Sequence, residues 1–325
     1  MRERGSGGEG GGGPAGAFSI VPPALRPGDL IAVVAPSSPF EPVLAWCGLG
    51  WLARRYRVRF TRGLFARDGY LAGSDARRRD ELVDAITDPE VRAVLAARGG
   101  YGASRFVHAV DWGALAASPR WIVGFSDITA LHVEAARAGV ASLHGPHLTS
   151  VGRGDARARS ALIAALEEPL APRVYEGLAV LYEGVATGPL FGGNLAILHA
   201  CAAAGRLRVP AGSVLLLEDV TERPYRVDRM LATLAVGGHL ERAAAVVLGD
   251  FTQCDPGADG VTVEHVLREA LGKLGVPVLS GVPVGHGLRN DPVVLGGMAR
   301  VEARGREGRL RLGTGLLSAP STHHR

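Results

Sequence analysis

A serine hydroxyl attacks a carbonyl only when a base takes its proton, and an imidazole serves as that base only when a third group orients it. In Gly124-Phe125-Ser126-Asp127 a serine stands where an apolar run, 121–125, gives way to a helical pattern beginning near Asp127. A serine in a strand-to-helix turn is held out at the edge of a sheet. The N–H groups opening the helix, that of Asp127 first, are then available to a developing oxyanion. Ile128 stands where the hydrolase nucleophile turn has its second glycine, and the segment alone also reads as a helix capped by Ser126 or Asp127.

Arg98-Gly99-Gly100-Tyr101-Gly102 likewise follows an apolar run. Its glycines permit close backbone approach and can present N–H groups to an anion. The spacing matches neither a dinucleotide fingerprint nor a P-loop, since no Gly-Lys-Ser/Thr occurs. In an open parallel sheet this loop and the Ser126 turn share the carboxyl edge, where ligands bind. Arg98 offers a fork suited to a substrate carboxylate or to a structural role. Asn194, after two glycines, reads as a helix cap or a substrate contact.

Ten histidines are available as the base. His108, His132 and His199 lie in helical patterns and His323 and His324 at the C-terminal end. His144, in His144-Gly145-Pro146-His147, and His286, between Gly285 and Gly287, follow apolar runs and are better placed. Glu218, closing Leu215-Leu216-Leu217, offers a carboxylate, and a charge in that place reads either as a turn to solvent or as a site residue. His144 and His147 are three apart across Gly-Pro and no His-Glu-x-x-His occurs, so neither a metal nor any cofactor is called for.

The elements that would position these groups alternate. Apolar runs at 30–35, 56–60, 91–96, 121–125 and 141–143, with helical patterns at 75–87 and 127–138, predict an α/β N-terminal domain over 23–151 built on a parallel sheet. The stretch 152–183 reads as helix and linker, and 184–316 as a β-rich C-terminal α/β domain. Its predicted strands lie near 214–217, 244–248, 276–279 and 293–295, and a hairpin over 299–312 closes it. Helices are expected at 194–204, 224–234 and 263–274. The glycine-rich start, 1–22, and the end, 317–325, read as loose tails.

With 47% hydrophobic and 21% charged residues the chain is that of a globular protein. It has no apolar run of membrane-spanning length and no secretory leader, so it is expected in the cytoplasm, away from the membrane. The net charge of +4 comes from scattered arginines, with Lys273 the sole lysine. That is not a phosphate-tracking stripe, and nucleic acid is not expected as a partner. Cys47, Cys201 and Cys254 form no Cys-x-x-Cys pair and read as buried free thiols.

Nine short segments in order resemble the LD-carboxypeptidase family of serine peptidases, which includes the microcin-C immunity peptidases. They are Val34-Ala-Pro-Ser37, Tyr70-Leu-Ala-Gly73, Arg98-Gly-Gly-Tyr-Gly102, Gly124-Phe-Ser-Asp-Ile-Thr129, His144-Gly-Pro146, Gly192-Gly-Asn-Leu195, Leu217-Glu-Asp219 with Pro224-Tyr225 and Asp228-Arg-Met-Leu231, Gly249-Asp-Phe251 and Gly285-His-Gly287. The resemblance implies a flavodoxin-like N-terminal domain, a β-rich C-terminal domain and a homodimer. It also implies a triad of Ser126, Glu218 and His286 at the junction of the two domains. In such a site the N–H groups of Asp127 and of Gly99 or Gly100 would hold the oxyanion. The substrate it implies is a cytoplasmic muropeptide, cut between its third residue and a terminal D-alanine. His147 departs from the apolar residue, often Met, that many relatives carry there. Two other readings stay open: the immunity branch, acting on aminoacyl-nucleotides, and a sensor that binds peptide or phosphate without turnover.

Overall fold

The computed structural model describes residues 20–314, so the tails read at 317–325 and over most of 1–22 lie outside the described residues. Ile20, inside the expected tail, is placed: it bridges Val140 in parallel.

The N-terminal half interleaves β1 (Leu30–Val34), α1 (Pro42–Leu52), β2 (Arg57–Arg59), α2 (Asp75–Thr87), β3 (Val91–Ala96), α3 (Gly113–Ala117), β4 (Trp121–Gly124), α4 (Thr129–Arg137), β5 (Ser142–His144), α5 (Leu148–Gly152) and α6 (Ala156–Glu167). The central strands are apolar and buried because helices cover both faces of a parallel sheet. Two of the long helices start on a local signal: Ser74 and Asp155 accept hydrogen bonds from the first-turn N–H groups of α2 and α6. Helix α6 belongs to this half, burying Leu162, Ala165 and Leu166 against the same core as β1 and β4.

The C-terminal half contains β6 (Arg173–Tyr182), β7 (Gly184–Asn194), α7 (Leu195–Ala203), β8 (Ser213–Val220), α8 (Pro224–Val236), β9 (Ala243–Thr252), α9 (Val263–Gly272), β10 (Val278–Ser280), β11 (Val293–Leu295), β12 (Met298–Arg304) and β13 (Glu307–Leu312). Seven of these strands close a barrel in the order β10-β6-β13-β12-β7-β8-β9, which leaves no exposed edge for another chain to pair with. Strand β6 falls in the stretch read as linker.

Strand β11 corrects the expectation for 293–295. It leaves the barrel and adds antiparallel to β5, pairing Val293 with His144, so the first sheet runs β11-β5-β4-β3-β1-β2. The loop that carries His286 is thereby tied to the sheet that carries Ser126. The halves also share one core, in which Val34 and Val94 pack with Phe191 and Leu215 through α4 and α7. At that seam the Asn194 N–H donates to Thr129 Oγ1 at 3.0 Å. Gly193 lies so close that a Cβ there would sit 2.6 Å from the same oxygen.

Cys201 and Cys254 are buried as expected, but Cys47 is exposed on α1. That helix is apolar all round, so its sequence does not mark which face is covered.

Candidate active site

Strand β4 ends at Gly124 and a single 3₁₀ turn, Ser126–Ile128, leads into α4. Ser126 sits in this turn with φ +63°, a left-handed conformation that side-chain-bearing residues rarely adopt. Such strain persists only where the surroundings impose it. Gly124 lets the turn close, since a Cβ there would meet Ile128 at 2.8 Å. The Ser126 hydroxyl makes no hydrogen bond among the described residues, and its side chain is only partly covered.

The glycine loop lies directly against this turn. A Cβ on Gly99 would stand 2.9 Å from Ser126 Cβ and 3.0 Å from His147 Cε1, and one on Gly100 would collide with Ser38 Oγ. Only glycine therefore brings this backbone beside the serine. The loop is held from behind by the Tyr101 N–H donating to Ser38 Oγ at 3.1 Å and the Ser38 N–H to the Gly99 carbonyl at 3.2 Å. Arg78, wholly buried, donates to the carbonyls of Pro36 and Gly73 and stacks over Phe106, joining three loops around the site. Asp127 is also wholly buried and accepts from the Ala103 N–H at 2.9 Å. Burial pushes its carboxyl up to about 6, against the opposite pull of the nearby Ser37 hydroxyl, the Ala103 N–H and Arg78.

From the barrel, β8 delivers Glu218 and the loop after β10 delivers His286. The His286 Nδ1–H donates to Glu218 Oε2 at 2.7 Å, and Glu218 is fully buried. A carboxylate accepts only, so this bond fixes the proton on Nδ1 and leaves Nε2 as the basic nitrogen. Two glycines make room: a Cβ on Gly285 would fall 2.7 Å from Glu218 Oε2, and one on Gly249 would be 2.3 Å from the Val284 carbonyl oxygen. Burial pulls the His286 pKa down. The hydrogen bond and charge of Glu218, with Asp219 and Asp250 behind it, outweigh that pull and leave it above its ordinary value.

The His286 ring packs on Phe125, the residue before Ser126, with centroids 4.8 Å apart. The structure thus brings Ser126, Asp127, Gly99, Gly100, Glu218 and His286 to one place, though no hydrogen bond joins Ser126 to His286. Arg98 adjoins the glycine loop but donates to the Pro39 carbonyl at 2.6 Å. Asn194 takes the cap role: its Oδ1 accepts from the Ile197 N–H at 3.2 Å and its Nδ2 donates to Asp219 at 3.0 Å. It is buried, and β7 pairs it with Glu218 on β8.

Sequence reasoning named His132, His144 and His147 without placing them around Phe125. His147 stacks on the Phe125 ring at 4.3 Å, and its Nε2 lies 2.8 Å from the Phe125 carbonyl oxygen and 3.3 Å from its N–H. The His132 ring bonds the Gly124 carbonyl oxygen at 2.9 Å. His144 is buried between them in the sheet and finds no partner for either ring nitrogen among the described residues. Burial pulls His132 down to about 4, His147 to about 3 and His144 well below its ordinary value. His132 and His147 thus bond the backbone of the two residues that precede Ser126. Among the described residues no cluster of His, Cys, Asp or Glu is arranged to hold a metal ion.

A parallel sheet presenting a strained serine beside a glycine loop, joined to a barrel that supplies a Glu–His pair, has close counterparts among peptidases. Residues 31–145 match the LD-carboxypeptidase N-terminal domain and residues 187–301 the LD-carboxypeptidase C-terminal domain. The chain belongs to the LD-carboxypeptidase family and is a carboxypeptidase. The murein tetrapeptide carboxypeptidase of Pseudomonas aeruginosa is 38% identical over 238 residues, covering 69% of this chain and 77% of that one. The crystal structure of a muramoyltetrapeptide carboxypeptidase from Oxalobacter formigenes superposes with a TM-score of 0.78 at 29% identity, over 87% of this chain and 98% of that one. MccF in complex with glutamyl sulfamoyl guanosine superposes at 0.80 with 20% identity, over 91% and 99%, a likeness of fold alone.

Proposed function

We propose that this protein is a serine carboxypeptidase that releases the terminal D-alanine from muropeptide tetrapeptides by cutting the L,D bond, with Ser126 as nucleophile, His286 as base and Glu218 as its orienting partner. The observation that carries the reading is the buried Glu218–His286 bond packed, through Phe125, against the strained Ser126 turn. His286 Nε2 takes the hydroxyl proton as Ser126 attacks the scissile carbonyl. The N–H groups of Asp127 and of Gly99 or Gly100 receive the oxyanion; those of the two glycines donate no hydrogen bond among the described residues. His286 then protonates the leaving amine of D-alanine, and water hydrolyses the acyl-enzyme by the reverse proton route. Three free cysteines suit a reducing compartment, and we place the reaction in the cytoplasm, with a homodimer as the working form.

The test is D-alanine release from a purified tetrapeptide, assayed beside hydrolysis of an aminoacyl sulfamoyl adenosine. We expect release by the wild type and none by Ser126→Ala. Turnover of the adenylate alone would move the chain to the immunity branch. Peptide binding without any turnover would make it a sensor.

A further inference from the structure

A groove of about 320 Å³ opens from His286 and Phe125 and runs between the His286 loop and the α5–α6 corner. Its walls bring together three guanidiniums, Arg153, Arg157 and Arg289, and two carboxylates, Asp155 and Asp291. Both carboxylates are already engaged. Asp291 lies 2.8 Å from Arg289 and 3.6 Å from Arg157, and Asp155 caps α6 by accepting from the N–H groups of Arg157 and Ala158. Arg153, just past the end of α5, makes no ion pair or side-chain hydrogen bond among the described residues. The groove therefore holds a planar, bidentate donor with no protein acceptor, and a positive excess in a wall that it shares with the base of the proposed triad.

We infer that this groove binds the terminal carboxylate of the peptide, with Arg153 as its principal ligand and Arg289 beside it. The inference rests on the carboxypeptidase reading and adds to it the element that makes the enzyme an exopeptidase. The imidazole that protonates the leaving amine must lie beside the residue that leaves. That residue's carboxylate is one carbon beyond its amine, so it enters the cavity that His286 opens. A guanidinium matches a carboxylate in geometry and charge. Arg98 is the less suitable partner: one of its N–H groups is tied to Pro39, and it faces a separate cleft with Arg67 and Tyr70 that His286 does not line.

The experiment uses the full chain carrying Ser126→Ala as a receptor that cannot turn over. Calorimetric titration compares a tetrapeptide ending in D-alanine with the same peptide ending in D-alaninamide. We expect the free acid to bind roughly ten- to a hundredfold more tightly, the worth of a charge-assisted hydrogen bond. Adding Arg153→Ala should remove most of that preference, and Arg153→Glu should reverse it. These side chains are exposed, and unchanged thermal melts will confirm folding. A preference that survives Arg153→Ala with Arg289→Ala, one that disappears with Arg98→Ala instead, or no binding of either peptide would each overturn the proposal. If the preference tracks Arg153 while the wild type releases no D-alanine, the groove is right and the reaction is wrong.

Discussion

The His286 Nδ1–H donates to Glu218 Oε2 at 2.7 Å, and the other carboxylate oxygen of Glu218 is buried with no hydrogen-bond partner among the described residues. The carboxylate is thus committed to this one imidazole, which sets both its tautomer and its aim. Replacing Glu218 with Gln keeps the shape but lets the amide offer either a donor or an acceptor to Nδ1. We expect kcat for D-alanine release to fall on the order of a thousandfold or more, with KM little changed, as when a triad carboxylate is lost. Steady-state kinetics with a coupled D-alanine assay would check it, and a loss below tenfold would remove Glu218 from the mechanism.

The same pair fixes the pH dependence. Burial lowers the His286 pKa, but Glu218, Asp219 and Asp250 raise it by more, so the base titrates above 6.5. The proposed mechanism requires the neutral ring, and kcat/KM should rise with pH through that raised value. In Glu218→Gln only the smaller charges remain against burial, and the acid limb should move to lower pH. The stability contribution of His286 has the matching sign: fully present below 6.5, it is lost as pH rises through the folded-state value.

The buried histidines titrate in the opposite sense. His147 is held down to about 3 and His132 to about 4 by burial, whereas in the unfolded chain both take protons near 6.5. Each therefore removes stability as pH falls from 6.5 towards its folded value, at about 1.4 kcal/mol per pH unit. Asp127 and Asp219, raised to about 6 by burial, work against them between about 6 and 3.8. Urea titrations at pH 6.5, 5.5 and 4.5 should show the slope of stability against pH reduced by about 1.4 kcal/mol per unit in His147→Gln. An unchanged slope would mean that the ring is not held neutral.

The parallel sheet, the hairpin and the turns that carry Ser126 and His286 were legible because strand runs end in glycine-marked turns, a pattern that survives in one dimension; Glu218 stands inside an apolar strand, and its role came from the family resemblance. The transfer of β11 to the first sheet was not legible. Val293-Val294-Leu295 is apolar in either sheet, and only the register with Ser142–His144 separates the two. The contact of His147 was hidden for a related reason, since its partner Phe125 lies twenty-two residues earlier and meets it only through the parallel pairing of β4 with β5. Asn194 could be read two ways because capping and ligand binding ask for the same side chain. In the structure it caps α7 and bonds Asp219. Barrel closure left no sequence signal beyond a count of strands.

Strain at Ser126 gives a prediction in which activity and stability part company. With φ at +63° the serine forgoes about 1 kcal/mol or more relative to a relaxed residue, and glycine would adopt the same backbone freely. Ser126→Gly should abolish D-alanine release and raise the melting temperature by about 2 °C, the unfolded-state cost of glycine being included. Ser126→Ala should abolish release with no gain. Differential scanning calorimetry on the two variants separates the outcomes, and equal melting temperatures would show that the turn is unstrained.

Gly99 tests the junction of the proposed nucleophile and oxyanion donors. A methyl group there would stand 2.9 Å from Ser126 Cβ and 3.0 Å from His147 Cε1. Neither neighbour is the free end of a flexible chain: one is fixed by its own backbone, the other by its contacts with Phe125. The clash can be relieved only by moving the loop amides away from the serine or by turning the serine itself. Either shift misplaces the reacting groups, and misplacement by about 1 Å costs on the order of a hundredfold in rate. Gly99→Ala should therefore lower kcat by about that factor while the melting temperature falls by only a few degrees. Inactivation by a fluorophosphonate, which reports on the serine and its oxyanion donors without the peptide subsites, should slow in proportion. If D-alanine release falls and the fluorophosphonate rate does not, the methyl group is blocking the peptide instead, and Gly99 lies in the substrate channel and outside the oxyanion site.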